Sequence, residues 1–103
     1  MRRFRFTPLA ERDLEAIVDF ICEHSGTDRA QSVLDDILAA AGHLADMPRM
    51  GHRREDLTDH EVLFWSVHSF LIVYRPDSRP LEVVRVLSGW RDVAAVMRDD
   101  AGS

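Results

Sequence analysis

Residues 62–74, Val62-Leu63-Phe64-Trp65-Ser66-Val67-His68-Ser69-Phe70-Leu71-Ile72-Val73-Tyr74, are almost continuously apolar and rich in β-branched and aromatic side chains. The one break, His68-Ser69, divides them into two strands, Val62–Val67 and Phe70–Tyr74. His68-Ser69 is a poor match to the Asn-Gly kind of two-residue turn, so a longer or distorted loop is expected there. Downstream, Pro76-Asp77-Ser78-Arg79-Pro80 is a plain reversal signal, and Leu81–Leu87 reads as a third strand in meander order. Gly89 ends that strand, and Trp90–Met97 predicts a short helix before a polar tail that frays.

Working upstream, Arg49-Met50-Gly51-His52 reads as a turn and loop preceded by two helices. The first opens with Thr7 as cap and Pro8 at the first helical position, and carries Leu14, Ile17, Val18, Ile21 and Cys22 at i, i+3, i+4, i+7, i+8 spacing. Ser25-Gly26 stops it. Thr27-Asp28 offers a new cap, and Ala30, Val33, Leu34, Ile37, Leu38, Ala41, Leu44 and Ala45 form the second stripe before Met47-Pro48 ends the helix. So short a connection predicts an antiparallel helix hairpin whose stripes need a common partner. Arg3-Phe4-Arg5-Phe6 alternates as a half-buried strand does. The expected fold is α+β. An N-terminal strand and a helix hairpin pack on a small, mainly antiparallel sheet with a three-strand meander, and a short C-terminal helix follows.

A chain of 103 residues with 46% hydrophobic content supports one core, and residues 1–103 are read as a single domain. No apolar run approaches the roughly 20 residues of a membrane span, and Met1-Arg2-Arg3-Phe4-Arg5 has no apolar segment of a secretion signal, so a cytoplasmic protein is expected. Cys22 stands alone, which excludes an internal disulfide and a cysteine-built zinc site. No cofactor is called for. Formal charge is −5, yet all 13 basic residues are arginine, and residues 49–92 hold seven arginines against seven acids. Arginine's planar fork suits carboxylates and phosphates. A coding bias toward arginine is the competing reading of that composition.

Several local patterns occur in one order: Phe6-x-x-x-Ala10, Asp13-Leu14-x-x-Ile17, Pro48-x-x-Gly51-x-x-Arg54 with Leu57 after it, Leu71-Ile72-Val73-Tyr74-Arg75, and Arg85-Val86-Leu87-x-Gly89-x-Arg91-Asp92. With the element order, they make the chain resemble the RelE/ParE superfamily of toxins from type II toxin–antitoxin systems, nearer its ParE-like branch. One departure is Ser88, where many ParE-like sequences carry histidine. The resemblance implies a toxin that binds and inhibits DNA gyrase without catalysis, neutralised by a cognate antitoxin, a ribbon-helix-helix ParD-like protein, in a hetero-oligomer. Target-binding residues on this reading are Arg85, Trp90, Arg91 and Asp92, with Arg53 and Arg54 from the loop. Trp90 has a competing role, pinning the last helix to the sheet.

The alternative within the superfamily is a RelE-like, ribosome-dependent messenger endoribonuclease. Attack by a 2′-hydroxyl needs a proton acceptor, a proton donor and cations around one phosphate. After Tyr74 the chain has neither histidine nor tyrosine, so a nuclease site would fall to Tyr74, Arg75 and Arg85. A strand tyrosine is more often a buried ring with a bonded hydroxyl. An acidic chain also argues against strong direct nucleic-acid binding. Arg49, Arg53, Arg54, Arg75, Arg85 and Arg91 could converge on one edge of the sheet. The structural counterpart is that Arg85 and Arg91 bridge acids such as Asp92 or cap helix carbonyls. A third reading is a non-toxic interaction domain of the same fold. For the antitoxin, apolar groups on both faces of the first two meander strands point to Phe64, Trp65, Phe70 and Ile72, with Val93 and Met97 of the last helix. That helix, folded back as an internal lid, is the competing cover.

Overall fold

The computed structural model describes residues 3–56, 58 and 60–89. Strand β1 (Phe4–Phe6) leads into helix α1 (Pro8–Ser25), helix α2 (Thr27–Asp46) and one 3-10 turn (Pro48–Met50), followed by β2 (Leu63–Val67), β3 (Phe70–Arg75) and β4 (Leu81–Leu87). The sheet order is β1-β4-β3-β2, with β1 parallel to β4 and the other pairs antiparallel. This is the expected α+β architecture. The expected helix over Trp90–Met97 lies outside the described residues.

Thr7 caps α1 as its sequence predicts, its Oγ1 accepting from the Ala10 N–H at 3.2 Å. Gly26 alone joins the helices. Its φ of 88° is open to glycine without strain, and its N–H donates to the Cys22 carbonyl. Thr27 is already helical and the cap position falls on Gly26, so the expected side-chain cap of α2 does not form. Ile17 and Ile21 of α1 and Val33, Ile37, Ala41 and Leu44 of α2 pack on Leu63, Ile72, Tyr74, Leu81 and Val83 of the sheet. Leu14, Val18 and Cys22, predicted for the same stripe, are half-buried at its margin.

The opposite face of the sheet holds a second cluster, Val62, Phe64, Leu71 and Val73, with Val84 and Leu87 packed against it. Phe64 and Val73 have no exposed surface. Phe64 and Ile72, expected to meet an antitoxin at the surface, are therefore corrected to core positions: Ile72 faces the helices and Phe64 fills the second cluster.

The β2–β3 connection is also tighter than expected. Val67 pairs with Phe70, leaving a two-residue turn at His68-Ser69. His68 takes a φ of 55°, a region where a non-glycine residue needs support, and its Nε2 meets Asp36 Oδ2 of α2 at 2.6 Å. The long-range contact stands in for favourable turn chemistry. The β3–β4 loop forms where expected, with Ser78 Oγ donating to the Arg75 carbonyl and accepting from the Glu82 N–H at 2.8 Å.

Candidate functional site

Strand β1 covers only the first part of β4, and the chain then turns into α1, which leaves later backbone groups of β4 without a strand partner. Side chains of α1 and its cap take over. The Thr7 N–H donates to the Val83 carbonyl at 3.0 Å and its Oγ1 to the Val84 carbonyl at 2.9 Å. Asp13 Oδ2 accepts the Val86 N–H at 2.9 Å. The same carboxylate holds Arg85 through Nε at 2.8 Å and Nη2 at 3.0 Å, both side chains being 16% exposed. Arg85, expected at a target interface or bridged to an acid such as Asp92, is therefore engaged by Asp13 on α1. A one-residue shift in the β3–β4 register between Val73 and Tyr74 lies opposite this point.

Tyr74 is wholly buried against the helices. Its hydroxyl donates to the Pro48 carbonyl at 2.7 Å and accepts the Gly51 N–H at 2.9 Å. Burial pushes its pKa above the ordinary phenol value, against smaller lowering contributions from the Gly51 hydrogen bond and the Arg49 charge. A Cβ on Gly51 would lie 2.5 Å from that hydroxyl, so glycine is required by the close approach. The phenol fastens the loop after α2 to the middle of the sheet. Its hydrogen-bonding capacity is committed to the backbone and not directed at a substrate.

The loop arginines each meet local acids. Arg49 pairs with Asp77, Arg53 with Glu61 at 3.1 Å, and Arg54 with both oxygens of Asp56. The Arg54 hydrogen bond is the main reason the Asp56 carboxyl lies below its usual range. Arg75 shares Glu82 with Arg5. Among the described residues, the arginines expected to converge are each paired with an acid and do not form one bare cationic edge. Trp90, Arg91, Asp92, Val93 and Met97 lie outside the described residues.

A groove of about 640 Å³ lies at the Gly26 end of the helix hairpin, beside the β2–β3 turn. Ile17, Phe20, Ile21, Val33 and Phe70 supply its apolar lining, and Arg29 and His68 its polar one. Phe20 is 60% exposed and stacks on His24 at 4.1 Å. Arg29 forms no ion pair with the described residues. Phe70 was expected in a binding surface. Phe20 and Arg29 were not, although a phenylalanine off the buried stripe of α1 is a signal the sequence does carry. Trp65 is half-buried beside a smaller groove between α2 and β2. Among the described residues, no group of three histidine, cysteine, aspartate or glutamate side chains is arranged to hold a metal, and no helix is long and apolar enough to cross a membrane.

Comparison with known proteins agrees with this geometry. The chain is 30% identical over 83 residues to Toxin ParE3 of Caulobacter vibrioides, covering 81% of this chain and 82% of that protein. It superposes with a TM-score of 0.71 and 20% identity on a solved structure titled as a chromosomal ParDE TA system from P. aeruginosa, covering 84% of this chain and 95% of the other. That likeness supports the fold. Residues 4–93, from the start of β1 past the end of β4, match the family described as ParE toxin of type II toxin-antitoxin system, parDE, and the chain belongs to that family of toxins.

Proposed function

We propose that this toxin acts by binding and inhibiting DNA gyrase, without catalysis of its own, and that a cognate ParD-like antitoxin neutralises it. The observation that favours binding over RNA cleavage is the double engagement of the Tyr74 hydroxyl by Pro48 and Gly51. General acid or base work needs a hydroxyl in reach of the reacting atoms, and a phenol whose ionisation burial opposes is poorly suited to it. Arg85, the other strand residue a nuclease would recruit, is turned to Asp13. Arg53 and Arg54 remain candidate target contacts because their side chains stay over a third exposed while their acids lie close by.

For the antitoxin we favour the groove lined by Phe20, Phe70 and Arg29. Its apolar lining suits an amphipathic segment, and Arg29 suits a carboxylate on that segment. Phe70 carries over from the expected antitoxin surface and Phe20 replaces the buried Phe64 and Ile72, while Trp65 lies at the separate groove between α2 and β2.

A gyrase supercoiling assay with the purified chain, run beside messenger RNA on translating ribosomes, tests the proposal. Loss of supercoiling or accumulation of cleaved plasmid, with intact messenger, is the expected result. Cut messenger with normal supercoiling would transfer the chain to the ribonuclease reading.

A further inference from the structure

We propose that the face of the sheet opposite the helices carries a recognition site for the carboxylates of an acidic polypeptide, formed by Arg5 and Arg75 over Glu82. Phe4 and Phe6, Leu81 and Val83, and Tyr74 all pack toward the helices, so the intervening Arg5 and Glu82 and the following Arg75 project from the other face. Register brings them into one row, with Arg5 opposite Glu82 across β1–β4 and Arg75 opposite Glu82 across β3–β4.

Glu82 is used from both sides. Arg5 donates to its Oε2, through Nε at 3.1 Å and through Nη2, and Arg75 Nε lies 3.0 Å from its Oε1. The carboxylate is only 17% exposed, whereas the two guanidinium side chains are 63% and 56% exposed. A covered anion thus orients two uncovered cations, leaving one positive charge and unspent N–H groups toward solvent. An exposed arginine with a carboxylate behind it loses less freedom on binding than one that must be ordered by its ligand. Arg79 in the adjoining loop adds a guanidinium that, among the described residues, is bonded to the Pro76 and Ser78 carbonyls. The charge of the row suits a few carboxylates. A chain carrying −5 repels every anionic ligand, and a peptide with spaced carboxylates meets less of that repulsion than nucleic acid does.

The probe is a fluorescent ten-residue peptide alternating glutamate and serine, titrated against the whole chain at low salt. Its controls are the glutamine counterpart and a short DNA duplex. The glutamate peptide is expected to bind best, with Kd rising about tenfold in R5Q/R75Q and unchanged in R12Q on α1. Glu82→Gln separates orientation from net charge. Removing a negative charge should tighten an acidic ligand if only charge counts, whereas loss of the buttress is expected to weaken it about threefold. Glu82→Asp, which keeps the charge but withdraws it, is expected to weaken binding as well. Equal binding of the two peptides, preference for the duplex, an unchanged R5Q/R75Q, or tighter binding by E82Q would each overturn the assignment.

Discussion

Strand β4 carries two arginine–carboxylate arrangements that differ in almost every physical respect. At Arg85, one carboxylate from α1 serves one guanidinium and one backbone N–H, with both side chains 16% exposed. At Glu82, one covered carboxylate serves two guanidiniums that stay in water. A pair mostly shielded from water costs more to break than an exposed one, which contributes little to stability. The first arrangement therefore supports the fold, and the second leaves its cations open to a ligand. Arg85 belongs to the closing pattern that carries the resemblance, and its engagement by Asp13 gives part of that pattern a role within the fold.

Asp13→Ala breaks the inner arrangement most severely, because Arg85 and the Val86 N–H both lose their contacts to the Asp13 carboxylate. A loss of about 2 kcal/mol is expected in urea unfolding. A loss under 1 kcal/mol would place Arg85 among surface pairs. Gly51→Ala comes next. The added methyl meets the Tyr74 hydroxyl at 2.5 Å and the Phe64 carbonyl at 3.0 Å, and about 2 kcal/mol of destabilisation is expected by the same measurement.

Tyr74→Phe removes the hydroxyl that bridges Pro48 and Gly51 and should cost about 1–2 kcal/mol. It also has a pH signature. The folded phenol has a raised pKa, so its neutral form contributes stability that is present below the ordinary tyrosine pKa, near 10, and is lost as pH rises through the folded value. Tyr74 is the chain's single tyrosine, so ultraviolet titration reads it directly. Ionisation above the ordinary value in the folded protein, returning to that value in denaturant, is expected. Tyr74→Phe should flatten the alkaline limb of stability. The outer arrangement gives the smallest effect: R5Q/R75Q is expected to shift the unfolding midpoint hardly at all, as both guanidiniums are mostly exposed.

Much of this was legible in the sequence because its local signals agreed. Thr7-Pro8, the two apolar stripes, Gly26 and the meander each define an element that the structure contains. What was not legible depends on contacts far apart along the chain. No local rule links Asp13 to Arg85, 72 residues apart, or makes His68 acceptable in a tight turn by supplying Asp36, 32 residues earlier. Phe64 and Ile72 read as interface residues because a run apolar on both faces does not say that both faces are buried. The row of Arg5, Glu82 and Arg75 needed strand order, since β1 reaches β4 only through a parallel pairing.

The most direct test of a toxin that acts by binding is induction of Tyr74→Phe in growing cells, beside wild type and with folding confirmed by circular dichroism. Retained growth arrest with a DNA damage response and intact messenger RNA is the predicted result, because the hydroxyl serves the loop after α2. Loss of arrest in a folded variant, with messenger cleavage seen only in wild type, would contradict the account and make Tyr74 a catalytic residue.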